Sequence, residues 1–275
     1  DMDALTQIDA WPVGFATAAV VSANGVIASR GDTGRVVRLA SISKPLAAWA
    51  CMIAVEEGTA SLDDAVGQPG CTLRHLLAHA GGYGFDGPNP ITRPERRRIY
   101  SNTGIELAAG AIQAASGIGF ADYLREAVFE PLGMDTALLR GSPAHGVRSS
   151  AGDLTRFATE LLAPRLVTAD TAAMATAVQF PALSGMVPGI GSFDPCPWSL
   201  GFEVHGAKYP HWMGTSNSPA TYGHFGGSGT MFWVDPEIGV ALIALTDRAF
   251  DEWAAEATAA WRSLSNAVIA NITSR

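Results

Sequence analysis

The alternation of hydrophobic and polar positions predicts β-strands near both ends of the 275-residue chain. Apolar and β-branched residues recur there in short runs bounded by turn residues, which is typical of strands. Five such runs occur, at residues 14–21, 26–29, 35–39, 230–234 and 240–246. Ala23-Asn24-Gly25 separates the first two runs, and Asn-Gly is the strongest short hairpin signal. A turn is likewise expected at residues 235–239, between the last two strands.

The middle of the chain predicts helices instead, because apolar residues there recur at a spacing of three or four. The apolar stretch at residues 39–58 predicts a helix that begins at Ser41 and stops at Gly58, and Gly117 closes another helix over residues 104–116. Further helices are expected at residues 3–10, 73–79 after a Thr72 cap, 120–129 before Pro131, 150–162 and 251–272. Residues 180–220 are rich in Pro, Gly and Ser, and we expect a long, partly ordered surface region there.

This order of strands, helices and strands predicts an α+β fold in which both ends of the chain complete one antiparallel sheet flanked by helices. A chain of 275 residues can bury a large core as one domain. We expect a single catalytic domain over residues 1–275. Its sheet lobe takes about residues 1–40 and 220–275, and its mostly helical lobe takes about residues 41–219.

Composition narrows the classes of function. The formal net charge is −8 and the pI is about 5.2, which disfavours binding to nucleic acid or anionic membranes. No run approaches 18 apolar residues, so no transmembrane segment is expected. The acidic, amphipathic start does not resemble a signal peptide. We therefore expect a cytoplasmic protein, with an extracytoplasmic location open if a leader was removed. Three widely spaced cysteines favour reduced thiols, and Cys51 is expected in the core.

Lys44 is the first residue that points to chemistry. The chain has 18 basic residues, of which only Lys44 and Lys208 are lysines. Ser41 precedes Lys44 by three residues, and residues three apart share a helix face. Pro45 supports a helix start here, since proline is tolerated in the first turn. A desolvated lysine can become neutral and act as a base, which arginine cannot do. The motif alone also fits a capping serine and a snorkelling lysine.

Two later motifs carry polar groups that suit the same chemistry. In Tyr100-Ser101-Asn102, the phenol can relay a proton, and the amide can orient the lysine and hold a substrate carbonyl. The other interpretation is a helix cap beside an exposed tyrosine. The glycine-rich segment GHFGGSG, at residues 223–229, lets a substrate approach the following strand and can supply an oxyanion-hole N–H. Its other interpretation is a simple hairpin.

Taken in this order, Ser-x-x-Lys, Tyr-x-Asn and His-x-Gly resemble the serine β-lactamase and penicillin-binding-protein superfamily. The class C branch, with its DD-peptidase and esterase relatives, is the most similar. Flanking phrases agree: TLRHLLAHAGG, YSNTGIELAAGAIQAASGIGFADYLREAVFEPLGM, GVRSSAGDLTRFATELL and GHFGGSGTMFWVDPEIGVALIAL. The resemblance covers nearly the whole chain. It implies a β-lactamase/transpeptidase-like fold whose helical region is an insertion between the two parts of the sheet.

The resemblance also implies a role for each motif residue. Ser41 corresponds to the nucleophile, Lys44 to its base and Tyr100 to the proton relay. The remaining positions would bind substrate: the amide of Asn102, the side chain of His224, and the backbone of Gly226 and Gly227. The N–H groups of Ser41 and Gly227 would form the oxyanion hole. The reaction needs no organic cofactor and no metal. The expected partner is a small-molecule ester, amide or peptide, with β-lactams as a further candidate.

The third motif departs from the family pattern, since His224-Phe225-Gly226 stands where KTG or HTG is usual. Phe225 offers no hydroxyl, and an unperturbed histidine is about half neutral near pH 6.5. A substrate carboxylate would therefore meet a weak anchor, which favours esters or amides over β-lactams. A β-lactamase or D-Ala-D-Ala carboxypeptidase is the first alternative. A catalytically weak ligand sensor is the second.

Compared with the class C branch, the chain is short, mainly between the first two motifs. The helical region should therefore be smaller than in that branch. The cleft should then be open, or closed by residues 180–220. Three other features are given structural interpretations. His75 and His79 have helical spacing for a metal but lack a third ligand. The arginines of residues 93–98, including Arg96–Arg98, are expected on a solvated face, although one of them could reach the cleft. The aromatic rings of Trp198, Trp212 and Trp233 are more typical of a core than of an acyl pocket.

Overall fold

The computed structural model describes residues 2–274. The helices are Ser43–Glu56 (α1), Leu73–Leu77 (α2), Asn102–Ser116 (α3), Phe120–Leu124 (α4), Glu130–Leu132 (α5), Ala151–Leu162 (α6), Ala169–Thr176 (α7) and Ala254–Thr273 (α8). The strands are Ala16–Ser22 (β1), Gly25–Arg30 (β2), Val37–Arg38 (β3), Arg98–Ile99 (β4), Leu138–Leu139 (β5), Val147–Ser149 (β6), Gly185–Val187 (β7), Gly191–Phe193 (β8), Glu203–Val204 (β9), Tyr222–Gly226 (β10), Thr230–Asp235 (β11) and Val240–Thr246 (β12). Short 3-10 helices lie at Asp3–Ala10, Ala40–Ile42 and Phe250–Glu252.

The main sheet joins the two ends of the chain. Within the described residues it has six antiparallel strands in the order β2-β1-β12-β11-β10-β9. β1 pairs with β12 along its whole length, from Ala16 opposite Thr246 to Ser22 opposite Val240. This arrangement confirms the expected α+β fold with an antiparallel sheet flanked by helices. The division into lobes at residues 40 and 220 stays a prediction.

The central strands are apolar on both faces because helices cover both faces. In β12, Ile243 and Leu245 pack into the core that contains α1 and α6. Leu242 and Ala244, which alternate with them, pack into the core that contains α8 and the first 3-10 helix. α1 is surrounded by this packing, with every residue from Ser43 to Ala54 buried.

Two expected helices have clearly different bounds in the structure. The helix expected to stop before Pro131 continues from α4 through a π-helical turn at Arg125–Phe129 into α5 and ends at Gly133, whose φ is +68°. The wider turn precedes the proline and lets the helix tolerate its missing N–H. The helix expected from Ser41 begins instead at Ser43, after the 3-10 turn Ala40–Ile42.

The prediction of a partly ordered surface region at residues 180–220 is wrong. This region contains β7, β8 and β9, and β7 and β8 form a three-stranded sheet with β4. Its backbone is tied to the rest of the fold by bonds such as Arg98 N–H to the Ser184 carbonyl and Gly201 N–H to the Leu77 carbonyl. Trp198, Leu200 and Phe202 are fully buried. The prolines and glycines therefore mark turns between short elements, not loose chain.

Candidate active site

Ser41 lies in a turn whose entrance is held by hydrogen bonds from two side chains to the main chain. Ala40, directly before it, has φ of +49°, a left-handed conformation that is uncommon for a residue other than glycine. Ser228 and Thr230 donate hydrogen bonds to the carbonyls of Arg38 and Leu39, at 2.6 and 3.0 Å. These bonds attach the entrance of the turn to the β10–β11 hairpin.

Gly226 allows this close approach. A Cβ atom at Gly226 would lie 2.3 Å from the carbonyl oxygen of Leu39, so a larger residue would push β10 away from the turn. Gly226 is buried and does not line the cavity at Ser41, whereas Gly227 does. The third motif therefore acts through its backbone. Gly226 lets β10 lie close to the Ser41 turn, and Gly227 forms part of the cavity wall.

The Lys44 amine connects the side chains of the first two motifs. Nζ donates to Ser41 Oγ at 3.3 Å, to the Tyr100 hydroxyl at 2.6 Å and to the Ala144 carbonyl at 3.1 Å. Its side chain is fully buried. Burial lowers the pKa of Lys44 to about 7, although the charges of Asp86 and Glu106 raise it. A large fraction of Lys44 is therefore neutral near neutral pH and can accept a proton.

Tyr100 is placed between β4 and α3, where Ser101 caps the helix by accepting the Gly104 N–H at 2.9 Å. Its ring packs against His79, Trp198 and His224, with centroid distances of 4.8, 5.8 and 5.7 Å. Burial raises the pKa of Tyr100 well above its ordinary value, more than a hydrogen bond with Ser41 lowers it. The phenol therefore keeps its proton and can give it away only to a strongly basic group.

Asn102 does not make the expected contact with the lysine. Its Nδ2 donates to Asp86 at 3.2 Å, and its buried Oδ1 has no partner among the described residues. The carbonyl of Ala144 takes the orienting position beside Lys44. A main-chain acceptor 100 residues away in sequence leaves no signal in the sequence pattern.

His224 is neutral, contrary to the partly charged state of an unperturbed histidine. The residue is 4% exposed. Burial and the charge of Lys44 lower the pKa of His224 to about 3. Its Nδ1 donates to the carbonyl of Phe225 at 2.6 Å, so Nε2 carries a lone pair and no proton. Nε2 has no partner among residues 2–274. His224 thus contributes a neutral, buried acceptor beside the cavity and not a cation.

The groups meet at a cavity of about 370 Å³. Ser41, Tyr100, His224 and Gly227 line it, and Lys44 is buried behind Ser41. The rest of the wall is largely aromatic and aliphatic, formed by Phe85, Val187, Pro188, Trp198, Phe225 and Phe250. Residues of the 180–220 region thus close one side of the cleft. The acidic residues at this cavity are Glu203 and Asp251, and no arginine of the described chain lines it.

A sequence profile of the β-lactamase family matches residues 15–265, which is most of the chain. The chain belongs to the β-lactamase family. The resemblance to the serine β-lactamase and penicillin-binding-protein superfamily is thereby confirmed.

Solved structures and curated relatives agree with this assignment. A crystal structure from Mycobacterium bovis, described as a β-lactamase, is 48% identical with a TM-score of 0.96, covering 98% of this chain and 99% of that one. Simvastatin synthase LovD from Aspergillus terreus, in its LovD9 mutant, is 15% identical with a TM-score of 0.80 over 98% of both chains, which shows the fold alone. Penicillin-binding protein 4* of Bacillus subtilis (strain 168) is 31% identical over 136 residues, 38% of this chain and 30% of the relative's length.

Behind the cavity of this β-lactamase-family chain lies a buried ionic cluster that the sequence analysis missed. Glu203 accepts from Lys208 at 2.8 Å, His211 at 2.5 Å and Trp212 at 2.8 Å. Burial alone would raise the pKa of Glu203, but His211 and Lys208 lower it well below its ordinary value. Glu203 is therefore an ionised and fully partnered carboxylate. The signal that could have found it is the rarity of lysine, since both lysines are buried.

The two histidines at metal-like spacing have other partners. His75 Nε2 lies 2.6 Å from Glu95, and its Nδ1 contacts the Thr72 hydroxyl at 2.8 Å. His79 Nδ1 accepts the Ser101 N–H at 3.2 Å, and its ring packs on Tyr100. Within residues 2–274, no group of three potential metal ligands comes together.

Two other structural interpretations are only partly correct. Arg93, Arg96 and Arg97 are exposed, but Arg98 is 2% exposed and donates to four main-chain carbonyls. Trp198 lines the Ser41 cavity, whereas Trp212 and Trp233 belong to the core against α8. Among the described residues, no helix has both the length and the apolarity that a membrane crossing requires.

Proposed function

We propose that this chain hydrolyses neutral esters or amides through an acyl-enzyme on Ser41. The observation that carries this proposal is the charge of the Ser41 cavity. Within the described residues no lysine or arginine lines this cavity, and the amine of Lys44, which contacts Ser41 Oγ from behind, is largely neutral near neutral pH. His224 is neutral, and Phe225 and Phe250 cover the wall beside it at a centroid distance of 4.9 Å. Asp251, an exposed acidic residue of the 3-10 turn, would repel a substrate carboxylate.

In this proposal, acylation uses the contacts of Lys44. Neutral Lys44 takes the proton of Ser41, and Oγ forms a bond to the substrate carbonyl carbon. The N–H groups of Ser41 and Gly227 stabilise the negative charge on the carbonyl oxygen. Tyr100 gives its proton to the departing alcohol or amine as the old bond breaks. Tyr100 recovers a proton from Lys44, which lies 2.6 Å away, so Lys44 is neutral again.

Deacylation runs through the same groups in the proposed mechanism. A water molecule loses a proton to the Lys44–Tyr100 pair and attacks the acyl carbon. The bond to Ser41 Oγ then breaks, and Oγ regains its proton from the pair. The products are a carboxylic acid and free Ser41. Since Lys44 must be neutral to begin each half-reaction, its lowered pKa supports a catalytic role over the alternative of a ligand sensor.

The alternative with a specific observation behind it is a β-lactamase, because the Mycobacterium bovis relative at 48% identity is described as one. A substrate panel separates the two functions. We expect kcat/KM for a short-chain neutral ester to exceed that for nitrocefin and for a D-Ala-D-Ala peptide, both of which carry a carboxylate. Faster turnover of nitrocefin would overturn the ester proposal and favour a β-lactamase; faster turnover of the peptide would favour a carboxypeptidase.

The double variant His224→Lys with Phe225→Thr tests the physical reason. It supplies a cation and a hydroxyl where a carboxylate would bind, so the ratio of nitrocefin to ester turnover should rise. The gain should not exceed ~3 kcal/mol in transition-state free energy, the value of a hydrogen bond to a charged group. The single variant Phe225→Tyr is the matched control, since it keeps an aromatic ring and adds no cation. An unchanged ratio in the double variant would reject cavity charge as the basis of selectivity.

A further inference from the structure

A second and larger cavity, of about 860 Å³, adjoins the Ser41 cavity. Phe85, Tyr100 and Pro188 line both of them. Because Tyr100 contacts the Lys44 amine, the second cavity begins one side chain away from the reacting atoms. A substrate held at Ser41 can therefore extend past Tyr100 and Phe85 into this space. Its volume lies within the ~300–1,000 Å³ range of small-molecule sites.

The walls of this second cavity are mostly apolar. We call it the apolar groove and define it by Phe85, Ile91, Ile99, Met186, Pro188 and Phe193. Ile91, Met186 and Phe85 are 60%, 58% and 54% exposed. Within residues 2–274 only Tyr209 is a more exposed large hydrophobic side chain, at 73%. Three of the four most exposed such side chains thus lie in one groove beside the nucleophile. Exposed apolar side chains that cluster in this way mark binding sites.

The charged side chains that line the apolar groove do not form a binding site for an ion. The guanidinium of Arg98 is turned to the main-chain carbonyls of Ala78, Gln179, Phe180 and Cys196 and is not free for a ligand. Arg97 and Asp194, the other charged residues at the groove, are exposed to solvent and opposite in sign. The groove therefore suits an uncharged, water-avoiding group better than an ion.

We propose that the apolar groove binds a long alkyl substituent of the substrate, so that the preferred substrate is a hydrophobic ester. This proposal rests on the proposed hydrolase function and adds the substrate class to it. The groove adjoins the Ser41 cavity along Tyr100, the proposed proton donor to the leaving group. The alkyl chain can belong to the acyl part or to the alcohol part of the ester, because both present the same apolar surface to the groove. Two series of substrates, described next, distinguish the two positions.

The first experiment measures kcat/KM for two series of monomeric esters. One series lengthens the acyl chain of p-nitrophenyl esters from C2 to C10, and the other lengthens the alcohol of alkyl acetates over the same range. We expect one series to rise by roughly fourfold for each added methylene until the groove is filled. Met186→Ser and Ile91→Ser should reduce this slope. Met174→Ser, which changes a 45% exposed methionine on α7 that lines neither cavity, should leave it unchanged.

A second experiment separates failure of the groove from failure of the hydrolase. The Ser41→Ala protein is titrated with uncleaved C4 and C10 members of the favoured series, or of both series if neither turns over, and binding is measured by calorimetry. We expect the C10 ester to bind at least ~30-fold more tightly than the C4 ester, and Met186→Ser to remove most of that difference. Chain-length-dependent binding without turnover in the wild type would retain the groove and reject the hydrolase. If neither kcat/KM nor affinity depended on chain length in either series, alkyl binding in the groove would be rejected and the hydrolase proposal would be retained.

Discussion

Ser41 and Ser43 are two residues apart but have different surroundings. Ser41 Oγ accepts a hydrogen bond from the Lys44 amine, and Ser41 lines the cavity. Ser43 is fully buried, and its Oγ accepts the Val147 N–H at 2.9 Å. We expect Ser41→Ala to abolish turnover and covalent labelling by a fluorophosphonate. Ser43→Ala should keep the label while losing about 1 kcal/mol of stability. Intact-protein mass spectrometry checks both variants, and an adduct on the Ser41→Ala protein would rule out Ser41 as the nucleophile.

The lowered pKa of Lys44 predicts how kcat/KM depends on pH. With a pKa of about 7, the amine is mostly charged below that pH and cannot accept the proton of Ser41. We expect kcat/KM for a neutral ester to fall about tenfold per pH unit below about 7 and to level off above it. His224, with its pKa near 3, contributes no titration in this range. Lys44→Arg should be almost as damaging as Lys44→Ala, since arginine does not deprotonate.

A pH profile that is flat between 5 and 8 would contradict this role for Lys44. So would a Lys44→Arg variant that keeps a tenth of the wild-type rate, because the lysine would then act as a fixed charge. The steady-state profile should be collected with an ester that itself does not titrate.

Burying Lys44 also costs stability. Its folded pKa of about 7 lies below its ordinary value of 10.5, so the unfolded chain holds the proton more tightly. The cost is complete below pH 7 and disappears as pH rises toward 10.5. Replacing Lys44 by the apolar methionine should therefore stabilise the fold, by on the order of 2–4 kcal/mol at pH 7 and less at pH 9. Urea unfolding at the two pH values measures this, and a gain that grows with pH would contradict it.

Sequence spacing was informative at the residue scale wherever a motif was local. Ser41 and Lys44 are three apart on one turn, and Tyr100 follows from its own motif, so their meeting could be expected. The Ala144 carbonyl, the pairing of Asn102 with Asp86 and the neutral state of His224 could not, because each depends on burial or on a distant backbone atom. The catalytic roles themselves stay predictions until the variants are measured.

At the element scale, Arg98 fixes the sheet that faces the apolar groove. Its guanidinium donates to the carbonyls of Cys196, Ala78, Gln179 and Phe180, at 2.8–3.1 Å, and thereby joins β4 to the 180–220 region. Burial lowers its pKa only to about 10, so it remains charged near neutral pH. A lysine side chain carries all its donors on one nitrogen atom, so it cannot reach four carbonyls that are spread around a guanidinium.

We therefore expect Arg98→Lys to lower the free energy of unfolding by about 2 kcal/mol, since buried carbonyls lose their donors. The neighbouring Arg97→Lys is the control, because Arg97 is exposed and should change stability by less than ~0.5 kcal/mol. Denaturant titrations of both variants make the comparison. Equal stabilities would show that the four carbonyls find other partners.

Elements with a local pattern were predictable, and elements that depend on distant pairing were not. The Asn-Gly hairpin and the strand at Val240–Thr246 are found where the pattern indicated them. The short strands β7 and β8 carry no periodicity of their own and exist because β4 pairs with β7. The unpredicted helix α7 did have a signal, since Thr168 accepts the Thr171 N–H as an N-cap and Asp170 follows in the first turn.

At the scale of the whole molecule, the candidate site lies where distant parts of the chain meet. Ser41 follows the N-terminal strands, Tyr100 comes from the helical middle, and Gly227 follows β10 in the C-terminal part of the sheet. The pairing of β1 with β12 brings the first and last parts together. We therefore expect the site to form only when these distant parts of the chain have folded together, which also buries both lysines.

The burial of both lysines makes chemical labelling a probe of global folding. Lys44 and Lys208 are 0% and 4% exposed, so an amine-reactive ester should leave both unmodified in the native Ser41→Ala protein. In urea both should become labelled, with a midpoint equal to that of tryptophan fluorescence. Arg35→Lys, at a position whose side chain is 45% exposed, supplies a surface lysine that should react in the native state. Native labelling of Lys208 at the rate of this control would mean that the Glu203 cluster opens locally, and its buried ion pair would then not be tied to the global fold.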